Sequence, residues 1–186
     1  MNIFYLDSDP VRAALMHNDK HCVKMILESA QMLCTTHRYL DQIYLPNDKG
    51  DYIFTRVGIM EKNEGVIYKT AHLNHPSTIW VRQSVEHYNY LYGLFIALCD
   101  EYTHRYNKVH LSDKKLRNLL SNKPINIPCN GFIEPPQCMP MVYKDEDTVT
   151  AYRTYYMKAK KHFMKYTNRQ PPQWVIDWNK GSETNG

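Results

Sequence analysis

Residues 9–38 read DPVRAALMHNDKHCVKMILESAQMLCTTHR, and the arrangement of the whole chain depends on this stretch. Asp9 is a good N-cap, because its carboxylate accepts hydrogen bonds from the free N–H groups of a first helical turn. Pro10 then occupies the first helical position, where its missing N–H costs nothing. Neither Gly nor Pro follows before Pro46, so the sequence predicts one long helix over 9–38.

The polar side chains of this helix form a narrow stripe. On a wheel of 100° per residue they fall within an arc of about 100°, and they are His17, Lys20, His21, Lys24, Glu28, Gln31 and Thr35. Most of the remaining circumference is apolar, which is typical of a core helix. A solvated face is the simplest interpretation of such a stripe. However, two His and two Lys with a single Glu differ from the usual Glu/Lys pairing of an exposed helix, so we expect the stripe to line an enclosed crevice.

Composition predicts a single domain. The chain has 186 residues, of which 43% are hydrophobic, and we expect one helical domain over 1–178 followed by a disordered tail over 179–186. The sequence contains no apolar run of membrane-spanning length and no signal-peptide pattern at its beginning. Five cysteines without a CxxC pair indicate reduced thiols in a cytoplasmic protein. The net charge of +4 permits a polyanionic partner.

The remaining elements follow from local patterns. Two short β-like runs, Tyr52–Val57 and Val66–Lys69, predict either a small hairpin or a structured loop. Ser84 is a candidate N-cap for a second long helix over Val85–Tyr106, whose apolar and aromatic side chains repeat at helical spacing. A short helix capped by Ser112 should run through Leu120.

The last third of the chain begins with an irregular segment. Residues 123–143 are rich in proline and should form a strap across the helices. A final long helix is predicted from Asp147 to Thr167. The predicted fold is therefore all-α: a single-domain bundle of three to four long helices with irregular loops and room for one small hairpin.

His17 and His21 are one turn apart, which is the spacing of a two-histidine metal pair. No HExxH motif accompanies them, and the sequence identifies no third ligand, so an acid–base pair or plain hydrogen bonding remains open. The chain has no P-loop, GxGxxG or GxSxG motif, which excludes most nucleotide-hydrolase, dehydrogenase and esterase functions. We expect no cofactor and no bound metal.

A second polar cluster precedes the second long helix. It contains His72, Asn74, His75 and Arg82, and Pro76 beside this cluster indicates a helix N-terminus suited to an anion. Lys161 belongs to a basic stripe on the last helix that could follow a phosphate backbone. We expect these side chains to hold phosphate or base.

The layout resembles a known family. A short apolar N-terminus leads into the long first helix, the segment HPSTIWVRQSVEHYNYL opens the second and EYTHRYN ends it, and the last helix carries YRTYY. In these features the chain resembles the phage-type pyrimidine-dimer DNA glycosylase/AP lyases of the endonuclease V type, a small all-helical family. It is also similar to uncharacterised tailed-phage proteins, which would place it in the host cytoplasm.

The resemblance implies a mechanism. In that family the α-amine of the processed N-terminus attacks C1′ of the damaged nucleotide, a helix carboxylate assists, arginines hold phosphates, and a base is flipped out of the kinked DNA. On this chain the arginine positions fall at Lys20 and Lys24 and the carboxylate position falls at His21. Glu28 is the only carboxylate of the stripe. Asn2 departs from the family pattern, since the initiator Met is usually kept before a bulky side chain.

We therefore predict a glycosylase/AP lyase that acts on a damaged or modified pyrimidine nucleotide, with DNA or a nucleotide as its partner and no membrane association. The residues predicted for chemistry are His17, His21, Lys24 and Glu28. The residues predicted to hold the substrate are Lys20, Gln31, His72, Asn74, His75, Arg82 and Lys161. Two alternatives remain: a non-catalytic phage accessory protein that binds nucleotide, DNA or a host protein, and a metal-dependent hydrolase that uses His17 and His21.

Overall fold

The computed structural model describes residues 1–183, which are mostly helical. The elements in chain order are α1 (Pro10–Met16), α2 (Asp19–Leu40), β1 (Gln42–Pro46), β2 (Tyr52–Arg56), α3 (Met60–Asn63), α4 (Pro76–Gln83), α5 (Val85–Tyr106), α6 (Leu111–Leu120), α7 (Thr148–Ala159) and α8 (Gln173–Glu183). The expectation of a largely helical chain is confirmed. The simple bundle of three to four long helices is not, because the described residues contain eight helices of unequal length and a two-stranded sheet.

The predicted first helix is broken in two. Asp9 caps α1 and Pro10 begins it, as expected, but His17 ends that helix and Asn18 starts another. The backbone of Asn18 is extended (φ −67°, ψ 167°), and its side chain accepts a hydrogen bond from the N–H of His21. A capping side chain therefore restarts the helix within a stretch that contains no Gly or Pro.

Helices α2 and α5 form the centre of the molecule, with α1, α4 and α6 packed against one or both of them. Helix α5 has the predicted bounds, and its predicted packed face is buried at Tyr88, Leu91, Phe95 and Cys99. On α2 the predicted apolar side is buried except at Val23 and Leu27, which are 38% and 42% exposed. Residues 2–6, before α1, are also buried in this core.

The hairpin pairs different segments from those predicted. Strand β2 matches the first predicted run, but its antiparallel partner is β1, which follows α2 directly. The second predicted run, Val66–Lys69, forms no strand. Instead of pairing with a strand, the carbonyl groups of Ile67 and Tyr68 accept hydrogen bonds from the guanidinium of Arg38.

The strap over 123–143 is irregular as predicted, apart from a 3₁₀ turn at Met141–Tyr143. Helix α7 ends at Ala159, eight residues before the predicted end at Thr167, and a 3₁₀ turn at Lys161–Phe163 follows it. Lys161 is therefore not on a continuous helical stripe. Helix α8 continues through Glu183, so residues 179–183 are helical where a disordered tail was predicted, and 184–186 lie outside the described residues.

Within residues 1–183, none of the helices combines the length and the apolar character that crossing a bilayer requires.

Candidate functional site

The site is built around the first residues of the chain, which run through the interior. Ile3, Phe4, Tyr5 and Leu6 are all buried, and the ring of Phe4 lies 4.2 Å from the imidazole of His21 in a stacked arrangement. An apolar segment placed in this way is held by the hydrophobic effect along its whole length. The first residues are therefore fixed against α2.

Asn2 is anchored through its side chain. Its Oδ1 accepts a hydrogen bond from the hydroxyl of Tyr152 (2.7 Å), and its Nδ2 donates to the carbonyl of Cys138 (3.0 Å). The hydroxyl of Thr78 reaches the sulfur of Met1 at 3.6 Å. The strap, α4 and α7 thus all hold the first two residues in place.

The backbone N–H of Asn2 donates to Glu28 on α2. The distance from Asn2 N to Glu28 Oε2 is 3.1 Å, and the other carboxylate oxygen, Oε1, lies 3.1 Å from the ammonium of Lys24. The side chain of Glu28 is 13% exposed and that of Lys24 is 60% exposed. One carboxylate therefore joins a nearly buried backbone nitrogen to a cation at the surface.

His75 lies beside this group at the N-terminus of α4. Its Nδ1 accepts a hydrogen bond from the N–H of Ser77, so the neutral ring carries its hydrogen on Nε2. Burial lowers the pKa of His75 below its ordinary value, the charges of the N-terminal amine and His72 lower it further, and the carboxylate of Glu28 opposes them. These charges place His72, His75, Glu28 and the N-terminus within one electrostatic neighbourhood.

His17 and His21 lie in the core. The Nδ1 atom of His17 is 2.7 Å from the carbonyl of Ala13, its Nε2 is buried with no hydrogen-bond partner among the described residues, and burial lowers its pKa to about 4. The Nδ1 atom of His21 is 2.7 Å from the hydroxyl of Tyr156, and burial is the largest cause that lowers its pKa to about 3. The crevice predicted for the whole stripe is therefore wrong at this end, where both imidazoles are neutral and enclosed by aromatic rings.

The other predicted substrate-binding residues are dispersed. Lys20 lies over the ring of Phe163, and Arg82 donates to the carbonyl of Leu73 while its guanidinium covers Tyr39. Gln31 is half-buried on α2. The exposed residues of the set are Lys20, His72, Asn74 and Lys161. Of the predicted site residues, the structure brings together Lys24, Glu28, His72 and His75.

A metal site at His17 and His21 lacks further ligands. No group of three or more His, Cys, Asp or Glu side chains within residues 1–183 is arranged to hold a metal ion. The two imidazoles also use their Nδ1 atoms for Ala13 and Tyr156. The metal-dependent alternative therefore has no geometric support in this part of the chain.

Tyr152 and Cys138, which anchor Asn2, could not be predicted from local sequence patterns. They meet Asn2 across separations of 150 and 136 residues, which local patterns do not encode. By contrast, Glu28 and Lys24 follow from α2 alone, because an i, i+4 pair shares one helix face.

Comparisons of the chain with protein-family models, with curated proteins and with solved structures give no match.

Proposed function

We propose that the chain is a DNA glycosylase/AP lyase that acts on a damaged or modified pyrimidine nucleotide. The observation that supports the proposal is the contact between Asn2 N and Glu28 Oε2, at 3.1 Å. Once Met1 is removed, this nitrogen becomes a primary amine with a carboxylate beside it. An α-amine has an ordinary pKa of about 7.7–8.0, so a useful fraction is neutral and nucleophilic at physiological pH.

The reaction uses this amine in place of a cofactor. The nitrogen attacks C1′ of the nucleotide, the N-glycosidic bond breaks, and the base leaves with the electron pair and takes up a proton. The sugar ring opens to an imine between the nitrogen and C1′. Loss of a C2′ proton then expels the 3′-phosphate, and water hydrolyses the imine and restores the amine.

Glu28 has two roles in the proposed reaction. Its negative charge stabilises the positive charge that builds up on the sugar as the glycosidic bond breaks, and the carboxylate then accepts the proton that the amine nitrogen loses after its bond to C1′ has formed. Lys24, whose ammonium is exposed, and Lys20 are assigned to the phosphates that flank the nucleotide. His72 and His75 are assigned to the same substrate from the α4 side. His17 and His21 are left out, because neither imidazole reaches the surface.

The proposal requires a free amine at residue 2, since the same nitrogen is a non-nucleophilic amide while Met1 is attached. The experiment compares two proteins, one that retains Met1 and one whose first residue is Asn2 after proteolytic release of an N-terminal tag. Each is incubated with UV-irradiated, uracil-containing, modified-base and abasic duplex DNA. Strand nicking and borohydride trapping should occur with the protein that begins at Asn2 and be at least about 100-fold weaker when Met1 is retained.

A non-catalytic binding protein is the second candidate. The observation that favours it is the ion pair between Lys24 and Glu28, which is complete while Met1 is present. It predicts that both proteins bind DNA or nucleotide and that neither nicks or traps any of the substrates. That result would remove the lyase function and keep the binding function.

A further inference from the structure

A cavity of about 600 Å³ lies between α1, α7 and the segment that leads into α8. Three arginines from these three parts of the chain line it, Arg12, Arg153 and Arg169, and the ring of Trp174 forms part of its wall. On α7, Arg153 is about 160° round the helix from Tyr155, whose ring stacks on Phe4 near the candidate site. The cavity is therefore separate from the Asn2–Glu28 site.

The first two arginines share a carboxylate. Arg12 Nη2 lies 3.3 Å from Asp7 Oδ1, and Arg153 Nη2 lies 3.6 Å from Asp7 Oδ2. Arg12 Nε also reaches Asp9 at 3.5 Å, and Arg153 Nε donates to the carbonyl of Leu6 at 3.0 Å. Asp7 thus pairs with both guanidinium groups, one through each carboxylate oxygen.

Arg169 is held by a different acid. Its Nε and Nη2 donate to the two oxygens of Glu101 at 2.8 and 2.6 Å. In Arg12, Arg153 and Arg169 alike, the pairing uses Nε and Nη2, and Nη1 makes no hydrogen bond within residues 1–183. The indole N–H of Trp174 is also buried without a partner. Several donors around one cavity therefore have no acceptor in the described part of the protein.

These donors favour one kind of anion. A phosphate monoester carries three terminal acceptor oxygens and a charge of about −1.5 to −2 at pH 7, so it can accept from guanidinium groups on several sides. A carboxylate offers two oxygens in one plane, which a single guanidinium fork already satisfies. Asp7, Asp9 and Glu101 pair with the three arginines and Asp177 also lines the cavity, so these carboxylates offset the positive charge in full, and the recognition of an anion rests on the N–H donors that they leave free. Their pairing also fixes the guanidinium planes before a ligand arrives.

The rest of the wall fits an apolar body. Leu15, Met16, Pro172 and Trp174 line the same space. Leu15 and Arg169 also line a second cavity of about 520 Å³, which continues along α5 past Ile96 and Ala97. A ligand can therefore place its phosphate among the arginines and its aromatic or apolar part against this wall.

We propose that this cavity binds a small phosphate monoester with an aromatic or apolar body. The test is isothermal titration calorimetry of the full chain with adenosine 5′-monophosphate, adenosine and benzoate. Adenosine 5′-monophosphate should bind with a Kd below about 1 mM, and adenosine and benzoate should each bind at least about tenfold more weakly. If adenosine or benzoate bound as tightly as the monophosphate, phosphate would not be the group that the cavity recognises. If the monophosphate did not bind at about 10 mM, the proposed site would be refuted.

Variants locate the binding. Arg12→Gln should weaken the binding of the monophosphate at least about tenfold. The fold should stay intact, because the side chain of Arg12 is 63% exposed. Trp174→Phe keeps the ring, removes the unpartnered N–H and should weaken binding to a smaller degree. Arg56→Gln, in the hairpin, is the matched control and should bind as the parent does, as should Glu28→Gln in the candidate active site. Binding that survives Arg12→Gln and is lost in Glu28→Gln would move the ligand to the other site and contradict the proposal.

Discussion

At the residue scale, the proposed chemistry depends on Glu28. Replacing this carboxylate by an amide in Glu28→Gln keeps the shape of the side chain and can still accept from Asn2 N, but it removes the negative charge. We expect nicking and borohydride trapping by the protein that begins at Asn2 to fall at least about 100-fold. The thermal unfolding midpoint should change little, since the lost partner Lys24 is 60% exposed.

A matched control separates charge from local structure. Glu64→Gln removes a carboxylate that also pairs with arginines, Arg38 and Arg56, away from the site. Its nicking rate should equal that of the parent protein. If Glu28→Gln nicked DNA at the parent rate, the assigned role of this carboxylate would be refuted.

The buried histidines predict a pH dependence of stability. The folded-state pKa values of His17 and His21, about 4 and about 3, lie below the ordinary value of 6.5, so the unfolded chain binds protons that the folded chain does not. Their contribution is complete above about pH 6.5 and is lost as the pH falls toward the folded values. The free energy of unfolding should therefore decrease between pH 7.5 and pH 5.0, by about 1–2 kcal/mol for each imidazole.

Urea titrations at these two pH values check this decrease. His21→Phe keeps an aromatic ring against Phe4 and Tyr156 but removes the titrating group. The variant should show a smaller difference in unfolding free energy between pH 7.5 and pH 5.0 than the parent. An unchanged difference would show that His21 is not held neutral in the folded protein.

At the element scale, the hairpin of β1 and β2 depends on its turn. Gly50 has a φ of +83°, and a Cβ at this position would meet nothing within 4 Å, so Gly50→Ala introduces backbone strain without a steric clash. We expect a local cost of about 1 kcal/mol, which corresponds to about fivefold faster hydrogen exchange of the hairpin amides. Gly65→Ala is the control, because Gly65 has the same open surroundings and no positive φ. Equal exchange in the two variants would contradict the strain argument.

The elements also show how far a sequence alone can be interpreted. The bounds of helix α5 were predicted correctly because its apolar repeat and the residues that begin and end the helix indicate the same range. The break at Asn18 was missed because a capping asparagine leaves the hydrophobic pattern of the flanking residues unchanged. Since His17 lies at that break, the wheel that placed it on the stripe of α2 did not apply to it.

The candidate site was predictable only in part, because some of its contacts lie within one helix and others join distant parts of the chain. Lys24 and Glu28 share a helix face, and that face was identified. The groups that hold Asn2, the carbonyl of Cys138 in the strap and the hydroxyl of Tyr152 on α7, lie at separations for which a single sequence gives no signal. The partner of His21 could not be predicted for the same reason, since Tyr156 is 135 residues away along the chain.

At the scale of the whole molecule, a buried ion network joins α5 to the last segment of the chain. Glu101 has a 1% exposed side chain that binds Arg105 and Arg169, and Arg105 also binds Asp19 at the start of α2. Glu101→Gln leaves Arg169 without its carboxylate and Arg105 with Asp19 alone, and it should cost about 3–5 kcal/mol of unfolding free energy.

Urea denaturation measures this loss. Asp100→Asn is the neighbouring control, because this carboxylate is 64% exposed and pairs with Arg117 at the surface. It should cost less than about 1 kcal/mol. Similar losses in the two variants would show that the network around Glu101 does not stabilise the fold more than a surface ion pair does.

In the proposed reaction the backbone nitrogen of Asn2, held by Glu28, is the nucleophile. The most direct measurement is peptide mapping by mass spectrometry of the adduct that borohydride traps between the protein beginning at Asn2 and an abasic duplex. We predict that the sugar fragment is attached to the α-nitrogen of Asn2. Attachment to a lysine side chain such as Lys20 or Lys24, or no adduct at all, would contradict the account.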